Sequence, residues 1–367
     1  MSTGHPSSDA LNAVCPYYTM YPLDFPLRVL QRNAGRGTRV LDPFCGRGTT
    51  NFAARLLGLP SFGIDSSPVA AALSQAKLVP TTAGRVTAGA RAILETAGAP
   101  AAMPTGAFWK LAFHPRTLTR LCSLREALLD DCSSASRIFL RAIILGALHG
   151  PRPRGRPSHF SNQAPRTFAP KPAYAVRFWR KRRMRPEDVD VLAILATRAE
   201  RYLAARLPDV EGAVRLADAR DDSAFGGVRP VDWIITSPPY YGMRTYLQDQ
   251  WLRAWFLGGP DHVDYEHPPG QLEHTGADHF ARDLGRVWRN VRGCAKPSAR
   301  LVVRFGGIHD RDADPMEVLA ESLRLGGWRI RTARKVPVAD AGRRQVTQFH
   351  ASPRPSITEH DVYCAPA

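Results

Sequence analysis

Short apolar runs alternate with helical patterns towards both ends of the chain. The run that begins at Val40 and the run over 231–235 contain mainly branched and aromatic residues, which is typical of buried strands. An alanine- and leucine-rich helical pattern follows the first run and ends near Gly58, a residue type that favours a helix C-terminus. Further strands are predicted over 61–64 and 300–305, and the second of them follows a predicted helix over 283–294 and a turn at 296–298. Strands that alternate with helices in this way predict an α/β protein.

The middle of the chain has helical patterns without strands between them. They lie at residues 118–128, 138–148 and 187–207. The serine- and glycine-containing N-terminus is polar and predicted to be disordered. The predicted organisation is a disordered segment over 1–14, a main domain formed by 15–78 and 212–367, and an inserted helical and basic region over 79–211.

Two prolines stand directly after the strand at 231–235, in the stretch IITSPPYYGMRTY. Pro238 and Pro239 fix two φ angles and lack backbone donors, so the carbonyls of Ser237 and Pro238 can face a pocket as acceptors. A hydroxyl and the ring of Tyr240 flank them. Such a pocket suits a flat group that stacks and donates hydrogen bonds, such as the amine of a nucleobase. From these residues alone, a proline-rich turn with a packed tyrosine is the alternative.

A glycine turn follows the first strand, in RVLDPFCGRGTT. Gly46 and Gly48 let a ligand approach the backbone, and the helix that opens at Thr49 offers free N–H groups. Asp65 ends the second strand, about twenty residues past the first one, where Rossmann-like folds hold a ribose. The turn has neither GxGxxG spacing nor a Gly-Lys-Ser/Thr ending, which disfavours a dinucleotide or phosphate loop.

Together, DPFCGRGTT and TSPPY resemble the motif pair of the amino-group DNA methyltransferases, which use S-adenosylmethionine to methylate cytosine N4 or adenine N6. The resemblance spans roughly residues 15–80 and 212–310 and implies a Rossmann-like class I methyltransferase sheet with helices on both faces. The last units of the chain resemble the antiparallel hairpin that closes such a sheet. It implies S-adenosylmethionine as cofactor, with contacts from Thr19, Asp42, Phe44, Gly46, Gly48, Asp65 and Asp218. The residues implied to receive the target base are Ser237, Pro238, Pro239 and Tyr240.

Serine at position 237 is more usual in the N4-cytosine members, whereas aspartate is usual in the N6-adenine members. The resemblance therefore implies a site-specific enzyme that methylates cytosine N4 in double-stranded DNA after base flipping, as in restriction-modification. The alternatives are an N6-adenine enzyme, an RNA-base or protein methyltransferase with the same pocket, and a non-catalytic DNA-binding component of a modification or defence system. The insertion between the second and third strands departs from the orders usual in the family.

The chain carries 50 Lys and Arg against 33 Asp and Glu, a formal charge of +17. This balance favours a nucleic-acid partner, although an arginine-rich proteome would also produce it. Segment 151–186 holds eleven basic residues, five aromatics and no acid, and its prolines predict that most of it is not a regular helix. Ser161–Gln163 is its polar cluster suited to base edges. A solvated basic loop is the alternative. The candidate nucleic-acid contacts are Arg152, Arg154, Arg156, Arg166, Lys171, Arg180, Lys181, Arg182 and Arg183.

The remaining features predict neither a membrane span nor a metal site. No apolar run reaches the length of about 18 residues that a transmembrane helix needs. The six cysteines are scattered without CxxC spacing, and the histidine-rich stretch 262–279 is interpreted as a loop rather than a metal centre. Reduced thiols and the absence of a signal pattern predict a cytoplasmic, nucleoid-associated protein of bacterial type.

Overall fold

The computed structural model describes residues 10–17, 21–150, 158–164, 171–241, 250–263, 276–306, 313–336 and 358–367. The chain divides into two compact units. The helical unit comprises residues 1–17, 79–206 and 246–267, and the sheet unit comprises 18–78, 207–245 and 268–367. The predicted domain bounds stay a prediction. The division agrees closely with them at 78/79, but it groups 246–267 with the helical unit.

Seven strands form one sheet in the sheet unit. They are β1 (Val40–Asp42), β2 (Ser61–Asp65), β3 (Gly212–Leu216), β4 (Val231–Thr236), β5 (Ala295–Gly306), β6 (Trp328–Lys335) and β7 (Glu359–Pro366). Their order across the sheet is β3-β2-β1-β4-β5-β7-β6. Strands β1 to β5 pair in parallel, whereas β7 is antiparallel to both β5 and β6. The closing antiparallel hairpin expected from the tail is therefore present.

Twelve α-helices lie in the described part of the chain. They are α1 (Asp24–Asn33), α2 (Thr49–Leu56), α3 (Pro68–Ala76), α4 (Ala83–Thr96), α5 (Ala107–Ala112), α6 (Pro115–Asp130), α7 (Ala135–Ala147), α8 (Pro172–Lys181), α9 (Val191–Tyr202), α10 (Trp251–Phe256), α11 (Ala277–Cys294) and α12 (Pro315–Leu325).

The central strands are buried on both faces, which explains their nearly continuous apolar sequences. Leu41 and Ile234 pack in the core that contains the buried faces of α11 and α12. Successive strand residues point to opposite faces, so Ile235 and Arg304 belong to the other face, where Arg304 lies 3.9 Å from the ring centre of Phe25 in α1. Helices thus cover both faces, and the predicted Rossmann-like α/β fold is confirmed.

The helical unit has a core of its own around α7. Nine of the thirteen residues of this helix are buried, because its apolar side chains point in nearly every direction. A Cβ at Gly146 would lie 2.2 Å from the carbonyl oxygen of Val14, so glycine lets the chain pass close to the helix. Leu11 and Val14 are buried here. Residues 10–14 are therefore ordered rather than disordered, since two apolar side chains anchor them.

The described part of the basic segment contains a short helix and two buried aromatics, and most of this described part is not assigned to a helix, as its prolines predict. Residues 172–181 form α8, because Pro172 lies at the start of the helix, where a missing N–H costs no hydrogen bond. Phe160 and Trp179 are buried in the core, so these two aromatics cannot stack on bases. Asn162 is buried too, and its amide donates to the carbonyl of Leu111 at 2.7 Å. It supports the fold and cannot read base edges.

Two further bounds differ from the sequence prediction. Residues 296–298 lie inside β5 rather than in a turn, and the register between β4 and β5 shifts here, so the irregular sequence is accommodated in the ladder. Helix α11 begins at Ala277, six residues before the predicted start at Asp283. The candidates outside the described residues are Thr19, Arg152, Arg154, Arg156 and Arg166.

Candidate cofactor and acceptor site

The carboxyl ends of the parallel strands place the two sequence motifs side by side. Strand β1 ends at Asp42, β2 ends at Asp65, and β4 ends at Thr236 directly before Ser237. The strand order reverses between β1 and β4, and open α/β sheets bind ligands at such a switch point. The glycine turn and the Ser-Pro-Pro-Tyr segment therefore lie where a ligand is expected.

Asp42 joins these two segments. Its side chain is fully buried, and it accepts hydrogen bonds from the hydroxyl of Thr236 at 2.6 Å and from the amide of Phe44 at 3.1 Å. Its second oxygen accepts from the hydroxyl of Tyr21 at 3.0 Å. Burial raises the pKa of Asp42 to about 6, although these hydrogen bonds oppose the rise. Asp42 thus shapes the turn, and its direct contact with the cofactor stays a prediction.

Thr50 provides a second link between the same segments. Its hydroxyl donates to the carbonyl of Ile235 at 2.9 Å, and its oxygen lies next to the hydroxyl oxygen of Tyr21. Tyr21, Thr50 and Thr236 were not selected from the sequence. Thr50 and Thr236 lie within the two quoted motifs and Tyr21 lies close to Thr19, but hydroxyl residues are common, and the partners Asp42 and Thr236 are 194 positions apart.

The glycine turn is shaped by two left-handed residues that differ in their surroundings. Gly46 has φ +51° and Gly48 has φ +77°, a region that side chains disfavour. A Cβ at Gly48 would lie 2.6 Å from the Ser74 hydroxyl oxygen and 2.8 Å from its Cα. A Cβ at Gly46 would have no atom within 4 Å. Gly48 therefore lets α3 approach, whereas open space lies over Gly46.

Asp65, at the end of β2, stabilises the glycine turn and can still accept further hydrogen bonds. One carboxylate oxygen accepts from the amide of Gly46 at 2.8 Å, and the other accepts from the amide of Ser67 at 2.9 Å. A carboxylate offers about four acceptor positions, so two remain after these bonds. Its side chain is half-buried, and desolvation raises the pKa of Asp65 to about 6.

The acceptors predicted after β4 make no hydrogen bond with any residue that the structure describes. Ser237 is half-buried, and its hydroxyl contacts no donor or acceptor in the described part of the chain. No described N–H group donates to the carbonyls of Ser237 and Pro238 either. Three oxygen atoms are therefore left for a ligand at this point, as the two prolines predict.

Tyr240 is fixed by the sheet next to these acceptors. Its hydroxyl donates to Glu359 at 2.5 Å, and its ring meets Phe305 edge to face at 5.5 Å. Glu359 begins β7, a position that the sequence prediction did not connect with the site. The ring is largely buried, so its predicted stacking on a base stays a prediction.

Two other candidates make protein contacts. Phe44 packs edge to face against Trp288 at 6.1 Å. Asp218 follows β3 and pairs with Arg220 at 2.7 Å, and Arg220 also reaches Asp283 at 2.7 Å. Burial alone would raise the pKa of Asp218, but the hydrogen bonds from Arg220 outweigh it and hold the pKa below its usual value. Because Arg220 already pairs with the carboxylate of Asp218, the contact of Asp218 with the cofactor stays a prediction.

Cys45 lies within the turn and is a packing residue. It is buried, and desolvation raises the pKa of its thiol well above the usual value, which suppresses the reactive thiolate. A Cβ at Gly63 would lie 3.1 Å from the Cβ of Cys45, so the two residues pack closely. Cys45 therefore fills space within the turn.

The described residues offer no group of three or more His, Cys, Asp or Glu able to hold a metal ion. None of the described helices is long and apolar enough to cross a membrane.

The fold and the site define a class of protein. A sheet with a final antiparallel strand, a glycine turn after β1 and an acidic residue at the end of β2 match the Rossmann-like methyltransferases. The residues fit S-adenosylmethionine, because open space lies over Gly46 and Asp65 keeps two acceptor positions for ribose hydroxyls. When bound, S-adenosylmethionine supplies an electrophilic methyl group.

Comparison with known proteins supports this class. A family model described as DNA methylase, of the N6 and N4 methyltransferases, matches residues 4–76, which include the glycine turn and Asp65. A search of curated proteins finds no match. This match covers about a fifth of the chain and agrees with the class that the fold and the site define.

Solved structures share the fold only distantly. An rRNA methyltransferase, aviRa from Streptomyces viridochromogenes, is 16% identical and has a TM-score of 0.36, with 98% of this chain and 93% of that chain covered. A TehB-like S-adenosylmethionine-dependent methyltransferase from Corynebacterium glutamicum is 8% identical and has a TM-score of 0.35, with 93% and 87% covered. Likenesses at these TM-scores carry no conclusion about the substrate.

Cofactor affinity is expected to fall in acid because Asp65 must be ionised to accept from both ribose hydroxyls. With a pKa of about 6, roughly one molecule in eleven keeps the carboxylate at pH 5. The dissociation constant of S-adenosylhomocysteine, measured by calorimetry, should therefore be about tenfold higher at pH 5 than at pH 7. Asp65→Asn should bind weakly with little dependence on pH; a pH dependence that survives this substitution would assign the titration to another group, such as Asp42.

Proposed function

We propose that the protein transfers a methyl group from S-adenosylmethionine to the exocyclic N4 of cytosine in DNA. The observation that carries the proposal is the set of three free oxygen atoms on Ser237 and Pro238, which Asp42 and Thr50 tie to the glycine turn. An exocyclic amine has two N–H groups to donate, so these acceptors can orient its nitrogen. A serine rather than an aspartate at position 237 favours cytosine over adenine.

DNA is proposed as the substrate on two grounds. The matching family model is one for DNA methylases. The chain also has a formal charge of +17, which favours a polyanion. The basic candidates that the structure describes, Lys171, Arg180, Lys181, Arg182 and Arg183, are exposed and can neutralise phosphates.

The chain's own residues act chiefly by positioning. A base inside a duplex is inaccessible to a pocket, so the target nucleotide must leave the stack. The Ser237 hydroxyl and the Pro238 carbonyl accept from its amine and direct the nitrogen lone pair towards the methyl donor. The amine loses its proton during or after attack, so no strong base is needed. Holding two reactants in line supplies most of the acceleration.

The acceptor assay tests this proposal. Protein is incubated with methyl-labelled S-adenosylmethionine and unmethylated duplex DNA, or with total RNA, and the nucleosides are separated by mass. Label in N4-methyldeoxycytidine is expected, and Asp65→Asn protein should give none at low cofactor concentration. Label in N6-methyldeoxyadenosine would correct the base, and label in RNA alone would correct the substrate. No label in either would contradict the proposed activity.

A further inference from the structure

Helix α8 has two faces of different character. Ala175 and Trp179 form its inner face, where the Trp179 ring lies 5.7 Å from that of Phe108 and its N–H donates to the carbonyl of Gln163 at 2.8 Å. These contacts fix the helix within the helical unit. The position of the opposite, outer face of the helix is therefore fixed by these contacts.

The outer face carries a stack of planar groups. Tyr174 is 46% exposed and lies 6.4 Å from Phe178 with an angle of 24° between the rings. The guanidinium of Arg182 lies 4.0 Å from the ring centre of Phe178. The three residues are spaced by four, so they follow one line along the helix. An exposed aromatic at one end of such a stack offers a π-face to a further planar group.

Seven cations accompany this stack. Residues 171–185 include no acid, and each of the seven is exposed. Within the described chain, no carboxylate lies within 4.0 Å of any of them. Arg180 and Lys181 lie in the last turn of the helix, where cations complement the helix dipole. The cations are Lys171, Arg177, Arg180, Lys181, Arg182, Arg183 and Arg185.

Arg183 occupies a position that suits glycine. It has φ +51°, and among the described residues every other one with a positive φ is a glycine. Its amide donates to the carbonyl of Arg180, and the amide of Met184 donates to that of Trp179, which is the Schellman pattern that ends a helix. The left-handed conformation is costly with a side chain. The chain thus keeps a cation where glycine would be more stable.

We propose that this outer face of α8 binds unpaired nucleotides of a nucleic-acid strand. A base that is not paired and stacked exposes its ring face and can lie on Tyr174, while the cations contact the strand's phosphates. Duplex DNA covers its ring faces and would leave Tyr174 without a partner. The proposal takes nucleic acid as the partner from the proposed function and specifies which form of it this surface holds.

Binding of labelled oligonucleotides tests the proposal without methyl transfer. A single strand of about 12 nucleotides and the same sequence as a duplex are titrated by fluorescence anisotropy, without cofactor. The single strand should bind more tightly. Tyr174→Ala should weaken its binding about tenfold and change duplex binding less than about twofold. Equal loss for both forms, or no loss for either, would overturn the proposal, as would preference for the duplex.

Arg183→Gly provides a second test with a readout of its own. It should raise the midpoint of thermal unfolding by about 2 °C, since the left-handed strain is removed. It should also lower the slope of log affinity against log salt by about 0.7, the value for one phosphate contact to a single strand. Lys110→Gln, which removes an exposed cation from α5, should leave that slope unchanged. If Arg183→Gly leaves the slope unchanged, Arg183 does not contact a phosphate. Its left-handed conformation would then no longer support the proposed nucleotide-binding face of α8.

Failure of this proposal can be told apart from failure of the proposed function. Asp65→Asn should lose methyl transfer but keep single-strand binding, because its side chain belongs to the glycine turn. A wild-type protein that binds the single strand through Tyr174 but never methylates DNA would contradict the proposed function alone.

Discussion

Gly46→Ala and Gly48→Ala are expected to damage the protein in different ways. At Gly48 an added Cβ meets the backbone of Ser74 at 2.8 Å and also has φ +77°, so both overlap and conformational strain oppose it. Overlap in a packed region costs about 1–3 kcal/mol, and a left-handed side chain costs about 1–2 kcal/mol. Chemical denaturation should therefore show a loss of about 2–5 kcal/mol in the free energy of unfolding.

Gly46→Ala should affect the cofactor more than the fold. The added methyl has no protein atom within 4 Å, so only the conformational strain of about 1–2 kcal/mol applies. If the cofactor occupies that space, its dissociation constant, measured by calorimetry, should rise about 100-fold, which corresponds to about 2.7 kcal/mol.

Gly37→Ala is the matched control for both variants. Gly37 has φ +83° and open space around its Cβ, and it lies in the turn before β1 rather than after it. It should share the loss of stability of Gly46→Ala and bind the cofactor normally. If Gly46→Ala and Gly37→Ala bind equally well, the cofactor does not lie over the glycine turn.

The sheet and the two motifs were predictable because their signals are local. An apolar run followed by Asp-Pro-Phe-Cys-Gly and another followed by Ser-Pro-Pro each place a turn at a strand end, whatever the rest of the chain does. Parallel pairing then brings the two ends to one edge. Proline chemistry also predicts free carbonyls at Ser237 and Pro238, and no N–H group of the described residues donates to them.

The supporting contacts were not predictable because they depend on distant partners. Nothing near Tyr240 indicates that its hydroxyl will bond Glu359, which is 119 residues away in the strand that closes the sheet. Asp218 is similar: its place at the end of β3 predicts a ligand contact, but Arg220 turns back and pairs with it. The local sequence does not show whether the carboxylate of Asp218 pairs with an arginine or with a ligand.

In the basic segment, the prolines predicted that most residues are not helical, but they did not show where a short helix could begin. Pro172 stands at the first helical position, which tolerates proline, and the apolar pair Ala175 and Trp179 then anchors the turn that follows. Counting aromatics also overestimated the surface available to bases, because burial of Phe160 and Trp179 requires the tertiary structure. Burial therefore separates the aromatics that can stack from those that hold the fold.

Ser237→Ala is expected to lower turnover about 100-fold and leave cofactor affinity within about twofold. The substitution removes one acceptor for the amine of the target base, and misplacement by about 1 Å can cost a factor of this size. Its hydroxyl has no hydrogen bond within the described chain, so the fold loses nothing with it. Single-turnover rates at saturating cofactor measure the first quantity, and calorimetry measures the second.

Two other variants separate this role from a structural one. Asp65→Ala should do the reverse, with cofactor affinity at least about tenfold weaker and a smaller change in turnover at saturation, because it loses the ribose acceptors rather than the base acceptor. Thr236→Val removes the 2.6 Å donor to buried Asp42, so it should lower stability and both kinetic quantities together. If Ser237→Ala behaved like Thr236→Val, the serine would be a structural residue of the turn. The three free oxygens after β4 would then no longer support transfer to an exocyclic amine.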